Sequence, residues 1–373
     1  MSYSFRCILH VVIPGFLLLL TACSQTPSQP TVPTETTGNP WGNQESQRRE
    51  PPSDEYVGNA ACQPCHGAEF ASHQHSRHMK TLYAATRTEL GALAPPPGPV
   101  PGGGKLAWDQ DQLTIIVPNK DTGEPVPVPL DLALGSGKTG MTFLALHEEG
   151  SLEIRQSYFP HEKKYIVTPG QEAFDSTVVG QTHARAEAKR CIGCHAVLVP
   201  ESLLPERKFF GVGCESCHGA GGAHVAAMTR GDKSGGLKLT AFSRSGGKAI
   251  SEACGRCHRS PADVAQKDKF AKLATNRFQP YGLSLSKCFK KSQDKLSCVT
   301  CHNPHEDAST DTAGYEKTCL SCHRAPKTVC PVNPKEKCVS CHMPTKGVFP
   351  GTNFPIKMAD HFIRVYKNGK PAR

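Results

Sequence analysis

Apolar residues fall in three kinds of stretch along this chain. Near the N-terminus they are contiguous. VVIPGFLLLL, residues 11–20, follows Arg6 and leads through LTAC to Cys23. A run this short is about half of what spans a bilayer. Its order of basic, apolar and small residues is that of a secretory signal peptide over 1–22. Residues 23–55 are rich in Pro, Thr, Ser, Gln and Glu and predict a disordered tether. Between 105 and 170 the pattern shortens. LAWDQDQLTIIV (106–117) and MTFLALHEEGSLEIRQSYF (141–159) are strand-like runs, interrupted at Asp109–Asp111 and Glu149–Gly150. They predict a small β insert, a meander or a pair of hairpins. EFASHQHSRHMKTLYAAT (69–86) has helical character, and PPPGPVPGGG (95–104) reads as a linker or long turn. GSGKTG (135–140) is a glycine turn and not a phosphate-binding loop, because the position that would need glycine holds Leu132.

From about 186 onward no sustained apolar period remains. Only 38% of the 373 residues are hydrophobic, while Gly and Pro number 34 and 31. That is thin material for a conventional core of this size. The anomaly is cysteine, with 18 copies. Export implies an oxidising compartment, so disulfides are the first reading to test.

The cysteines fall into a repeat. Cys62, Cys65 and His66 form the first CxxCH unit, and Cys191, Cys194 and His195 the second. Cys214, Cys217 and His218 follow, then Cys254, Cys257 and His258. Cys298, Cys301 and His302, then Cys319, Cys322 and His323, and finally Cys338, Cys341 and His342 complete seven copies. A disulfide framework does not require a histidine after every pair. Zinc needs four ligands without an obligatory adjacent His, and a redox dithiol is expected once, in a βαβ unit. Two thiols on a short turn can each form a thioether to one porphyrin, placing the next imidazole under the iron. The reading is seven covalent haems c, with the fourteen cysteines as attachment points and the seven histidines as proximal ligands. Six sites between Cys191 and His342 leave each about 25 residues, below the roughly 40 a segment needs to fold on apolar packing alone. The macrocycles must then be the core. The fold predicted is mainly α and irregular chain wrapped round a stack of haems. Its parts are a site 1 segment at 56–93, the β insert at 105–170, a six-haem domain at 186–345 and a tail at 346–373 donating a distal ligand.

Sixth ligands must come from the remaining histidines. His78 and His75 share a face at i, i+3 if the segment after site 1 is helical. His224 and His305 each follow a CxxCH too closely to cross their own haem and are expected to serve a neighbour. His361 lies in the tail. His183, His147 and His161 are lesser candidates, as are Met141, Met228, Met343 and Met358. His73 is expected to be solvated. Cys288 and Cys330 belong to no CxxCH and are candidates for a disulfide. Cys23 fits the lipid-bearing position of a lipobox, and acyl chains there would anchor the chain firmly.

YVGNAACQPCHGAEFASHQHSRHMKTL, GVGCESCHGAGGAHV, LSCVTCHNPH and CVSCHMPTK with DHFIRV resemble multihaem c-type cytochromes of the cytochrome c-554 type, within the hydroxylamine oxidoreductase and nitrite reductase lineage. The resemblance covers most of 56–93 and 186–362. It implies that His78, His224 and His361 are distal ligands. The seven sites exceed that family's commonest tetrahaem core.

The function expected is electron transfer between redox partners, quinol-linked or other cytochromes, through closely packed and mostly bis-histidine haems. The alternative is an oxidoreductase acting on a small nitrogen or sulfur compound at one five-coordinate haem. No CxxCK marks such a site. The formal charge of +10 is no nucleic-acid signal, because haem propionates would offset it. The location expected is the bacterial envelope, as a periplasm-facing lipoprotein of the outer membrane.

Overall fold

The computed structural model describes residues 55–373 apart from 120, 176, 233–238, 265–274, 325–329, 350–353, 368–369 and 372–373. These residues fall in one compact unit, Pro40–Arg373. The signal peptide, most of the tether and Cys23 lie outside the described residues.

The strand patterns fold as two antiparallel sheets. The first is ordered β1 (Leu82–Ala84), β6 (Leu132–Leu134), β7 (Thr142–His147), β8 (Gly150–Ile154) and β11 (Gly180–Ala184). The second is ordered β2 (Gly98–Pro99), β3 (Lys105–Asp109), β4 (Gln112–Pro118) and β5 (Pro125–Pro129). A hairpin of β9 (Gln156–Phe159) and β10 (Lys164–Val167) adds to them. Both expected turns are present. Asp109 pairs with Gln112 across a turn whose Gln110 takes φ 51°, and His147 pairs with Gly150.

The β region is larger than the expected insert, because β1 and β11 close it from outside 105–170. β1 also ends the helix expected over 69–86, which runs only Gly67–Gln74. Leu82 and Ala84 pair with Leu134 and Leu132, and Leu82 becomes buried. The apolar gain on the sheet, about 1.5–3 kcal/mol for a fully buried leucine, outweighs the helix propensity of Leu and Ala, which is worth at most a few tenths of a kcal/mol per residue. The expectation of a mainly α fold is therefore corrected. Among the described residues there are fifteen strands, and the longest helix, Gly247–His258, has twelve residues.

Side-chain packing divides along the chain. One cluster centres on Leu106, Leu113, Ile115, Met141 and Phe143. A second joins Leu82, Leu132 and Leu144 to Ala188 and Ile192 of the helix Arg185–Gly193. Of the thirty buried apolar residues described, six lie after Gly211. The helix Thr312–Cys322, which carries Cys319 and Cys322, buries no residue at all. The apolar cluster described in this half is small, Val348 and Phe349 with Phe354, Ile356 and Met358. Among the described residues, no helix is long and apolar enough to cross a membrane.

Candidate functional site

Short backbone turns shape each CxxCH unit. In the unit at site 3, Cys214–His218 is a single helical turn that enters from Gly213 and leaves at Gly219. Gly211, just before it, takes φ 83°, and a Cβ there would lie 2.4 Å from the Met79 carbonyl. Only glycine allows the chain to pass so close. That approach lets Val212 N–H donate to the His78 carbonyl at 2.8 Å and Gly211 N–H to that of His195 at 3.0 Å. Asn59 Oδ1 accepts from Cys214 N–H at 2.8 Å, tying site 1 to site 3.

Glu215, between the two cysteines, is 4% exposed. Its carboxylate accepts from the N–H groups of Val57 (3.0 Å), Gly58 (2.8 Å) and Gly221 (2.7 Å). It straps the strand-like entry of the chain onto site 3. Neither Glu215 nor Asn59 is marked out by spacing. The signal available was an acid inside GCESCH, flanked by glycines that expose backbone donors.

Four CxxCH imidazoles each stand close to one imidazole outside the repeat, and His73 adds two contacts of similar length, 6.3 Å to His78 and 5.9 Å to His305. His66 and His224 have ring centroids 6.4 Å apart, His218 and His305 6.4 Å, His78 and His258 6.1 Å, and His302 and His361 6.2 Å. Two metal–imidazole bonds of about 2 Å, with about 1.1 Å from each nitrogen to its ring centre, would give about 6.2 Å. Each pair joins a CxxCH histidine to one of the four foremost distal candidates. Several of these rings have their second nitrogen fixed. Nδ1 faces the carbonyl of Thr240 in His218 (3.0 Å) and of Ala359 in His361 (3.0 Å), and Gln279 Oε1 in His258 (3.3 Å). Nδ1–H donation there leaves Nε2 unprotonated for a metal. Burial holds His78, His258, His302 and His361 below the usual histidine pKa, which favours the neutral ring.

His258 has an exposed ring by surface area, yet loss of solvation lowers its pKa. Cys191 and Cys217 are likewise exposed, yet burial pushes their thiols up. At site 5 a cavity is lined by Cys301, His302 and Tyr315. Thiols and imidazoles gathered in this way fit haem c.

The remaining candidates separate clearly. His75, His147 and His161 are exposed and face no imidazole. His183 is buried, but Nε2 lies 3.1 Å from Glu153 Oε2 and Nδ1 3.2 Å from Glu187 Oε2. The Glu153 contact raises its pKa, the opposite of His78, His258, His302 and His361. Nε2 is held by Glu153, whereas Nδ1 lies near Glu187 without a hydrogen bond, and no second imidazole faces the ring among the described residues. His73, expected to be solvated, is buried. Its Nε2 lies 2.9 Å from the Val212 carbonyl and its Nδ1 3.2 Å from Ser76 Oγ. His195 and His342 direct Nδ1 to the carbonyls of Thr81 and Arg364, each at 2.9 Å, and neither faces a second imidazole among the described residues. His323 is exposed. The helix Gly222–Thr229 holds Met228 at its surface, while Met141 is fully buried in the β region. Cys288 and Cys330 are not bridged. Both thiols are free, Cys288 within electrostatic reach of Cys322 and Cys301, and Cys330 of Cys338.

Thiols of different units also meet. Cys62 lies within electrostatic reach of Cys214, Cys194 of Cys257, and Cys254 of Cys298. Arg256 donates to the Ser216 carbonyl at 2.8 Å, bringing sites 3 and 4 together. Cys319 lies within electrostatic reach of Cys301 and Cys338. The units are therefore contiguous in the order 1, 3, 4, 5, 6, 7, with site 2 joined through site 4.

The profile of the cytochrome c554 and c-prime family matches residues 153–219, which include sites 2 and 3. No curated protein matches the chain. The crystal structure of the outer cell wall cytochrome OcwA has 16% sequence identity and a TM-score of 0.48, covering 83% of this chain and 79% of that one. Repeated haem-attachment units, imidazoles set in pairs and the family match over two of those units lead to one assignment: the chain is a multihaem c-type cytochrome.

Proposed function

We propose that this protein carries electrons through seven haems c, one on each CxxCH unit, between redox partner proteins. Haem c, when bound, supplies a one-electron iron couple. The fourteen CxxCH cysteines hold the attachment points, and His66, His195, His218, His258, His302, His323 and His342 serve as proximal ligands. His224, His305, His78 and His361 serve sites 1, 3, 4 and 5 in that order as distal ligands. The observation that carries this reading is that four CxxCH histidines each stand 6.1–6.4 Å from an imidazole that belongs to no CxxCH unit. Two nitrogen ligands on one iron need little rearrangement between oxidation states, which suits transfer more than substrate binding. The contiguous order of the units supplies a route along the molecule with site 2 as a branch.

Export follows from the signal-like segment 1–22, and lipid attachment at Cys23 would hold the carrier at the envelope, periplasm-facing and on the outer membrane. Quinol-linked proteins or other cytochromes are the partners proposed. A second reading has one specific support. His195 and His342 face no second imidazole among the described residues, so site 2 or site 7 is where a small nitrogen or sulfur compound would reach iron.

The test is haem stoichiometry by reduced pyridine spectrum and intact mass of the mature protein, with low-temperature EPR of the oxidised form. Seven haems with at least four low-spin signals are expected. A colourless chain, or a set of wholly high-spin irons, would overturn the proposal.

A further inference from the structure

Arg277 is a cation in an unusual position. It lies between the aromatic rings of Phe278 and Phe349, with its guanidinium carbon 5.2 and 5.0 Å from their centres. Both rings are buried. Among the described residues no carboxylate pairs with it, and the neighbouring charge acting on it is another cation, Arg259. Loss of water pulls its pKa down to about 10. It nonetheless keeps part of its surface accessible, so the guanidinium is not closed off on every side. The backbone beside it is fixed, because Asn276 Nδ2 donates to the carbonyls of Lys346 (3.1 Å) and Gly347 (2.9 Å). Two residues further on, Gln279 accepts from His258 Nδ1–H. Tyr281 N–H donates to the Arg259 carbonyl at 3.3 Å. The arginine is therefore held beside site 4, within a fixed frame.

A guanidinium that is desolvated, unpaired and next to a second cation is strongly disfavoured unless an anion completes it. Its planar fork matches a carboxylate in two-point contact. Haem c carries two carboxylates and would bring them into this space. We propose that Arg277 binds a propionate carboxylate of the haem at Cys254, Cys257 and His258, and thereby raises the reduction potential of that site. The proposal rests on haem attachment at site 4. A positive charge close to the haem favours the reduced form, which carries one positive charge fewer.

The experiment uses the full-length holoprotein in four forms: wild type, Arg277→Gln, Arg277→Met and Arg277→Lys. Haem content is counted first. Each form is then titrated spectroelectrochemically with EPR assignment of the low-spin signals. The expected result is a full haem complement, a lower potential for one haem in the Gln and Met variants, and its recovery in Arg277→Lys. Unchanged potentials in Met, which keeps the apolar stem, would show that Arg277 only packs against Phe278 and Phe349 and would overturn the proposal. So would a wild-type potential that moves on adding millimolar phosphate or acetate, with no such response in Gln; that result identifies a free anion as the occupant. Absence of haem from wild type would instead defeat the underlying attachment reading, which the count detects separately.

Discussion

His218 and His305 stand with ring centroids 6.4 Å apart and planes 12° from parallel, although His305 lies just beyond the CxxCH unit of a different site. His218 directs Nδ1 to the Thr240 carbonyl at 3.0 Å, so its other nitrogen faces the gap between the rings. Replacing His305 by Ala is expected to convert one low-spin haem to high-spin and to add one carbon monoxide site in the reduced protein. Replacing His75, exposed and opposite no imidazole, is expected to change neither. EPR and the carbon monoxide difference spectrum, read on both variants, decide between them. An unaltered low-spin count in His305→Ala removes His305 from the ligand set.

Glu215 supports the same unit from behind. Its carboxylate accepts three backbone N–H groups in a buried setting. Glu215→Ala leaves those donors without partners, and each hydrogen bond to a charged group contributes roughly 1.5–3 kcal/mol. The variant is expected to lose about 3 kcal/mol or more of stability. Denaturant unfolding of the holoprotein, followed by the haem band, measures it. A loss below about 0.5 kcal/mol would mean that water replaces the carboxylate there.

The attachment units were legible because CxxCH is local: its chemistry needs only four bond-linked neighbours and a turn. Both hairpin turns were legible for the same reason, since Asp109–Asp111 and Glu149–Gly150 interrupt apolar runs at the place of reversal. The segment after site 1 was not. TLYAA is compatible with either period, and the deciding partners, Leu132 and Leu134, lie some fifty residues downstream. The distal candidates could be ranked by their position after a CxxCH unit, but their assignment to sites depends on non-local packing. His183 shows the limit most clearly. Its residue type suggested a ligand, while Glu153, from a distant strand, holds Nε2 and Glu187, from a helix, adds a second charge beside the ring.

That clamp has a consequence for pH. The Glu153 contact, aided by Glu187, raises the pKa of His183 in the folded chain above its unfolded value of about 6.5. The folded state then binds the proton more tightly. The resulting stability is fully present below pH of about 6.5 and is lost as pH rises through the folded pKa. Wild type and His183→Gln should therefore differ most in denaturant midpoint at mildly acidic pH and converge on the alkaline side. A difference that grows with pH would reverse the assignment.

Gly211 gives a backbone test. With φ 83° and the Met79 carbonyl 2.4 Å from a would-be Cβ, Gly211→Ala must shift the chain where sites 1, 2 and 3 meet. Left-handed strain alone is of order 1–3 kcal/mol, and the clash adds to it. Lower thermal stability is expected, with a reduced haem count at maturation. Gly67→Ala, at a position with open space around it, is the control and should mature normally.

Site 2 separates transport from chemistry. Its thiols adjoin site 4 through Cys194 and Cys257, so an electron could enter it from the main row, but no unit lies beyond it. A carrier needs no such branch; a place for a small molecule to meet iron does. His195 is fixed through Nδ1 on Thr81 and faces no second imidazole among the described residues. The reduced wild-type protein is thus expected to bind carbon monoxide rapidly at site 2, with site 7 as the other candidate since His342 also faces no second imidazole among the described residues, whereas the four sites with paired imidazoles stay silent. A Cys191→Ser, Cys194→Ser variant should lack one haem and lose that signal. If the signal survives removal of the site 2 haem, the open iron belongs elsewhere, and site 2 is a dead end of the electron route rather than its place of reaction.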